Sequence, residues 1–374
     1  MPPQTPPASD RTRSRSRLVH RLAHRLGAAG LLLLPLWGLH AGPVQAREVV
    51  DMAGRPVRVP DQITRPFGAA PPLTALLYAL APDLVIGLNI PFAPGSAAYL
   101  RPGLSELPVL GSAMGHGRQI NPEALLALHP DLALAWQNDF SDLDPAGIEG
   151  PFRKIAVPVF YLKLDTLDDW PAAFELAGRL LGREARAAEL ADYIRSAQSR
   201  VAAAVSAIPA AQRVRVYYAE GPDGLRTDCD SSFHTEVIAL AGAQNVYHCT
   251  AKTMVGQEPV GLEQVLLWAP QALLIQDPQF AATVGRDPRW AAVPVLAAGQ
   301  VLPIPRQPLN WVDRPPSFMR ALGIQWLAHT LYPERFPLDL AAETRRFYRL
   351  FFGVELTAGQ VAALVGAVPA KAAP

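Results

Sequence analysis

Cysteine, histidine and charge are all sparse in this chain. Its 374 residues hold two cysteines, Cys229 and Cys249, with no Cys-x-x-Cys pair, which excludes the common cysteine-based zinc sites. The histidines after residue 46 fall singly, so no His-x-x-x-His or His-Glu-x-x-His helix offers a metal centre. No Gly-x-Ser-x-Gly turn presents a serine nucleophile, and Ser112 with His116 is too local to make a triad. The glycine-rich run at 111–117, GSAMGHG, lacks the Gly-Lys-Ser/Thr ending of a phosphate loop. Charged residues make up 18% and the formal net charge is +1, so no global field draws nucleic acid or an anionic membrane. No catalytic machinery, cofactor or protein-built metal site is expected.

The basic residues that do occur crowd the start: Arg11, Arg13, Arg15, Arg17, Arg21 and Arg25. An apolar stretch follows at 27–39, shorter than the roughly 20 residues that span a bilayer. Val44-Gln45-Ala46 then supplies a small-x-small ending. This is the pattern of a secretory signal peptide over 1–46, leaving a soluble exported chain that starts near Arg47. No adjacent arginine pair marks twin-arginine export, and no cysteine near the cleavage point marks a lipid anchor. In an oxidising compartment Cys229 and Cys249 can form a disulfide, two free thiols being the alternative.

Two stretches repeat one pattern. Residues 120–136 read INPEALLALHPDLALAW and residues 260–276 read VGLEQVLLWAPQALLIQ, aligned without a gap at an offset of 140. Glu123 falls on Glu263, Leu126 on Leu266 and Pro130 on Pro270. Each unit has an acidic residue in its first helical turn, an apolar helix, a proline break and a short buried strand. A unit repeated only twice implies two similar lobes rather than a solenoid, and a cleft between lobes is a common ligand site. A second pair, 78–87 and 238–247, lies at an offset of 160. The first lobe therefore carries about 20 extra residues, placed at the Pro/Gly/Ala-rich 91–103.

Residues 47–60 alternate apolar and polar about Ala53-Gly54 and read as a hairpin. Short β-branched runs alternating with helical patterns indicate parallel sheets covered by helices in each lobe. Residues 168–208 read as one long helix, or as two with a joint at Gly182, and one rod would reach roughly 40 to 50 Å. The expected fold is α/β: two Rossmann-like lobes with parallel sheets joined by one long rigid α-helix, each with its own core, and a ligand cleft between them. The divisions are 47–166 for the first lobe, 167–208 for the connecting helix, 209–355 for the second lobe, and 356–374 for a C-terminal helix and partly disordered tail.

Export signal, paired lobes, connecting helix and the motifs NPEALLALHPDLALAW and GLEQVLLWAPQALLI together resemble the substrate-binding proteins of bacterial ABC importers for iron-siderophore, haem and cobalamin. Residues 51–60 resemble that family's opening hairpin, and 232–247, SFHTEVIALAGAQNVY, the helix and strand that open its second lobe. The resemblance covers about 48–353. It implies a monomeric carrier that captures a small-molecule metal chelate and docks on a permease dimer. The positions matching the family's docking carboxylates are Glu123 and Glu263, although a first-turn glutamate also complements the helix dipole.

In parallel α/β lobes ligands sit beyond the carboxyl ends of the strands. The loops there nominate Met114, His116, Trp136 and Asn138 from the first lobe. The second lobe adds Tyr218, Glu220, Ser232, Asp277, Arg306, Trp311 and Arg314. Trp136, Trp311 and Tyr218 would offer flat faces, and Arg306 and Arg314 charge-assisted hydrogen bonds to an anionic ferric chelate. Tyr218 and Tyr161 are the tyrosines that the resemblance nominates as haem ligands. His234 reads as facing outward behind a Ser231 or Ser232 cap. Haem, cobalamin or an oxyanion such as molybdate remain alternative ligands, and an exported α/β hydrolase or a ligand sensor are the alternative classes.

Overall fold

The computed structural model describes residues 46–114, 118–138, 144–250, 255–298 and 300–366. Almost all of the expected export segment, and His116, lie outside the described residues. A hairpin of β1 (Ala46–Val50) and β2 (Pro56–Pro60) comes first, then β3 (Pro66–Gly68) and α1 (Pro71–Leu80). Helix α2 (Pro122–Leu126) precedes β4 (Leu132–Gln137), and α3 (Pro145–Lys154) precedes β5 (Val159–Lys163). Two long helices follow, α4 (Asp169–Leu181) and α5 (Glu184–Val205). The next elements are β6 (Arg215–Ala219), β7 (Arg226–Thr227), α6 (Glu236–Leu240), β8 (Gln244–Asn245) and β9 (Glu258–Pro259). After them come α7 (Leu262–Trp268), β10 (Ala272–Ile275), α8 (Pro278–Thr283), α9 (Pro294–Ala298) and β11 (Val301–Pro303). Helices α10 (Arg320–Leu331), α11 (Leu340–Phe352) and α12 (Ala358–Val365) close the described chain.

Two parallel sheets organise these elements, one in the order β3-β4-β5 and one in the order β11-β10-β6-β8. The repeated unit is α2–β4 in the first and α7–β10 in the second. Its helix starts locally: the Asn121 side chain accepts the Glu123 and Ala124 N–H groups, and Pro122 sits where no N–H is needed. After the proline break both strands are buried, Leu132 to Trp136 in one and Ala272 to Ile275 in the other. Unbroken apolar runs suit strands covered on both faces.

The expectation of two separate cores is not met. One cluster runs from Phe67, Leu134 and Phe160 of the first sheet, through Trp170 and Tyr193 of α4 and α5, to Val216, Leu274 and Leu302 of the second. Helix α10 explains the continuity. Its residues from Arg320 to Ala328 are all buried, so it has no solvent face and packs as a core helix. A smaller cluster covers the other face of β6, where Tyr217 and Ala219 alternate with Val216 and Tyr218.

The connector is two helices. Gly182 ends α4 at φ +65, a left-handed conformation that favours glycine, and the Arg183 N–H closes the end on the Gly178 carbonyl at 2.8 Å. The chain reverses there and α4 lies along α5. The longer rod does not form; the 22 residues of α5 give about 33 Å. A second difference is in 78–87, whose sequence reads as a helix end, a break at Pro82 and the entry to a buried strand. Pro82–Leu84 is a 3-10 turn, and only Leu88 pairs in parallel fashion, with Val109. The extra segment winds on through 3-10 turns at Ser96–Tyr99 and Leu104–Glu106. Among the described residues no helix is long and apolar enough to cross a membrane.

Candidate ligand-binding cleft

Two connected hollows lie where the carboxyl ends of the two sheets face each other. One, about 340 Å³, takes Ser112, Met114 and Trp136 from the first sheet's side and His234, Gln257 and Arg314 from the second. The other, about 220 Å³ and lined mainly by apolar side chains, lies between α1, the 85–93 segment and the 306–318 loop. Pro71, Ile90, Arg314 and Pro315 line both. Across the floor, Trp136 meets Phe233 edge-on, ring centroids 5.9 Å apart and planes at 88°. Trp136 Nε1 donates to Asp165 at 2.9 Å, which leaves its ring edge-locked. The Ser112 hydroxyl is held by Met114, donating to its carbonyl at 2.6 Å and accepting its N–H at 3.1 Å.

A buried charge network stands behind the second wall. Arg320, 1% exposed, gives Nη1 to the Asp165 carbonyl and Glu236, both at 3.1 Å, and Nη2 to Asp313 at 2.7 Å. It thus joins elements of both sheets. Asp313 pairs in turn with His234 Nδ1, which orients the imidazole beside the hollow of about 340 Å³. Burial alone would raise Asp313, but His234, Arg320 and Arg314 hold it below its ordinary value. Burial likewise dominates at Glu236, which is raised despite Arg320.

Arg314 is bound three ways: Nε to Glu220, Nη2 to Asp228, and Nη1 to the Val255 carbonyl at 3.1 Å. Its backbone sits at φ +60, a conformation a non-glycine residue keeps only when its surroundings over-determine it. Glu220 and Asp228 are 0% and 2% exposed, so two buried carboxylates share one guanidinium. Burial, opposed by Arg314 and assisted by Asp228, pushes Glu220 up to about 9. Arg314 is raised as well: burial works against its charge and is outweighed, foremost, by Glu220 and Asp313.

Of the nominated residues, Met114, Trp136, Arg306 and Arg314 stand on cleft walls. Others do not. Trp311 is 0% exposed, its Nε1 donating to Tyr348 Oη at 3.2 Å, so it is core and offers no flat face. Tyr218 is also 0% exposed and lines neither hollow, because β6 points it into the main core. Ser232 caps a 3-10 turn and donates to Asp228, and Asp277 caps α8 through the Gln279 and Phe280 N–H groups. Both side chains are occupied locally. Glu220 acts on the cleft only through Arg314, and Asn138 lies at the end of β4, off both hollows. Tyr161 is buried under the Arg55 guanidinium.

His234 corrects the outward-facing reading: it is 5% exposed and faces the cleft. Gln257, Ile90 and Asn310 also line it, and no motif in the sequence singles them out. Cys229 and Cys249 are joined by a disulfide next to Asp228.

Glu123 and Glu263 occupy the first turns of α2 and α7, and both are exposed. Among the described residues neither carboxylate has an ion-pair partner. Each has an exposed leucine nearby, Leu126 at 48% and Leu267 at 79%. Among the described residues no cluster of three or more His, Cys, Asp or Glu is arranged to hold a metal ion.

Comparison with known proteins places this geometry. The profile of a family described as periplasmic binding protein matches residues 101–308. An ABC transporter solute binding protein of Sulfurospirillum deleyianum superposes with a TM-score of 0.79 at 35% identity, covering 86% of this chain and 99% of that one. The molybdate-binding protein MolA of Haemophilus influenzae is 27% identical over 349 residues, 86% of this chain and 95% of its own. A vitamin B12-binding protein of Pectobacterium carotovorum is 30% identical over 48% of this chain and 63% of its own.

Proposed function

The chain belongs to the periplasmic binding protein family of ABC importers, and from that premise we propose that it captures a metal chelate of the iron-siderophore type and delivers it to an importer. The carrying observation is a cleft whose walls come from both parallel sheets, with Arg306 and Arg314 on it. The N-terminal segment exports the chain, which works in the periplasm as a monomeric carrier and performs no chemistry. Residues 47–166 and 209–355 act as the two lobes about the connecting helices.

Glu123 and Glu263 are the docking carboxylates. Equivalent placement on equivalent helices suits a two-fold symmetric permease dimer, and rim charges of this kind set orientation and encounter rate. Leu126 and Leu267 add apolar contact beside them.

A metal oxyanion is the second reading. It is favoured by the Haemophilus influenzae relative, named for molybdate and matched over most of both chains, and by Ser112, His234 and Gln257 on the wall of the hollow of about 340 Å³. Haem or cobalamin would have to spread over both hollows.

The experiment is uptake by cells carrying Glu123→Ala with Glu263→Ala. Transport should fall to background while the purified variant keeps its ligand affinity; undiminished transport refutes the docking assignment. Native mass spectrometry of protein from its own periplasm, with metal analysis, separates the ligands. A metal with an organic mass supports the chelate, and molybdenum without one supports the oxyanion.

A further inference from the structure

We propose that the apolar hollow is a specificity subsite for an organic anion: it takes the uncharged body of the ligand, while Arg306 and Asn310 bind an anionic oxygen attached to that body. This rests on the capture reading above and names the chemical class of its ligand.

The first argument is asymmetry between the halves. The segment that the first half carries beyond the second, about 20 residues placed at 91–103, supplies one wall of the hollow through Phe92 and Leu100, and Leu104 directly after it continues that wall. The repeated sheet-and-helix unit does not require that wall, since the second half builds the same unit without it.

The second argument is charge. Arg314 lines the hollow, but it is already bound by Asp228, which supplies a counter-charge, and by Glu220. Arg306 gives Nη1 to the Gln276 carbonyl, and among the described residues no carboxylate pairs with it. A half-buried guanidinium beside apolar walls has lost water without gaining a counter-charge, a deficit that a ligand anion makes good.

The third argument is Asn310, on the same loop. It is 4% exposed and lines the same hollow. Its Oδ1 accepts the Val312 and Asp313 N–H groups at 2.8 and 3.1 Å, while its Nδ2 has no hydrogen-bond partner. Buried amide donors are seldom left so, and this one lines the same hollow as Arg306 and can act as a second donor.

The loop is held in place in advance of any ligand. Gln307 accepts the Ser96 hydroxyl at 2.6 Å and donates to the Pro94 carbonyl at 2.9 Å, while its own carbonyl accepts the Tyr348 hydroxyl. The donors are therefore pinned to the wall that faces them, and preorganisation of this kind favours binding. A bare tetrahedral oxyanion has no group to fill the apolar side. A ring or alkyl body does, and it removes apolar surface from water.

The test uses benzoate and sodium molybdate as probes, titrated calorimetrically into the exported chain. Benzoate should bind one-to-one, and Arg306→Met or Asn310→Leu should weaken it by about tenfold or more. Leu104→Trp, which fills the hollow, should abolish benzoate binding and leave any molybdate affinity unchanged. Should Leu104→Trp fail to fold, Asn310→Asp, which sets a like charge against the carboxylate, must show the loss in its place. The proposal is overturned if benzoate does not bind up to about 10 mM, or if it binds equally to all variants. It is also overturned if molybdate binding falls with Leu104→Trp. These outcomes are separate from the docking test: undiminished transport in the double glutamate variant overturns delivery and leaves benzoate binding as it was.

Discussion

Arg314 shows how one side chain can face a cleft and still be withheld from its contents. Its guanidinium is divided between Glu220 and Asp228, and its main chain is held in the left-handed region by those bonds. The arrangement has a pH signature. An ordinary glutamate titrates at 4.5, and in the fold Glu220 keeps its proton to about 9. Between those values the folded chain holds the extra proton, so this group's stabilisation is complete below the lower value and is lost as pH rises toward the upper one. Glu220→Gln, uncharged in both states, should flatten that part of the profile. Melting temperatures from about pH 5 to 9 measure it; parallel slopes in the two proteins would sink the assignment. The pairing was half legible. Arg314 and Glu220 stand out in sequence as polar residues at strand ends, and sequence offers each as a ligand contact. Only contact between positions 94 residues apart reveals that they reach for each other.

At the scale of elements, the local rules held where neighbours along the chain decide the outcome. Asn121-Pro122-Glu123 starts a helix, Pro130 and Pro270 precede buried strands, and Gly182 turns one helix onto the next. The disulfide between Cys229 and Cys249 acts at this scale too. It closes a loop with sequence separation 20, and Ser231 and Asp230 hydrogen-bond across it to Cys249 at 2.9 and 3.2 Å. The chain leads on to Gln257, whose N–H donates to Asp228 at 3.3 Å. Replacing both cysteines by serine should cost about 3 kcal/mol in the chain-entropy picture, read as a lower denaturant midpoint. Loosening of the 255–257 wall should lower ligand affinity as well. A variant with an unshifted midpoint would remove the structural role given to the bridge.

For the whole molecule, the continuous core sets the expectation. The main cluster includes both sheets together with α4, α5, α10 and α11, and Arg320 bonds to groups from each side. Halves joined through a shared interior have no means of melting separately. Calorimetry of residues 47–374 should show one transition, with calorimetric and van't Hoff enthalpies in agreement. Two resolved transitions would mean that the halves are independent after all. The same continuity leaves ligand closure little freedom beyond small shifts, because α5, which has no internal glycine or proline, does not bend readily.

The sequence by itself determined the duplicated units, the strand and helix grammar within each, the site of the helical break as one of two readings, and the two outward-facing glutamates. All of these depend on residues within a turn or two of one another, where capping, proline geometry and apolar periodicity act. Tertiary structure alone decided that the halves share a core and that Trp311 and Tyr218 belong to it. It also decided that His234 faces the cleft and that Arg314 has carboxylate partners while, among the described residues, Arg306 has none. The physical reason is range. Burial and ion pairing depend on what a side chain meets in space, and in a cleft its neighbours come from opposite halves of the chain.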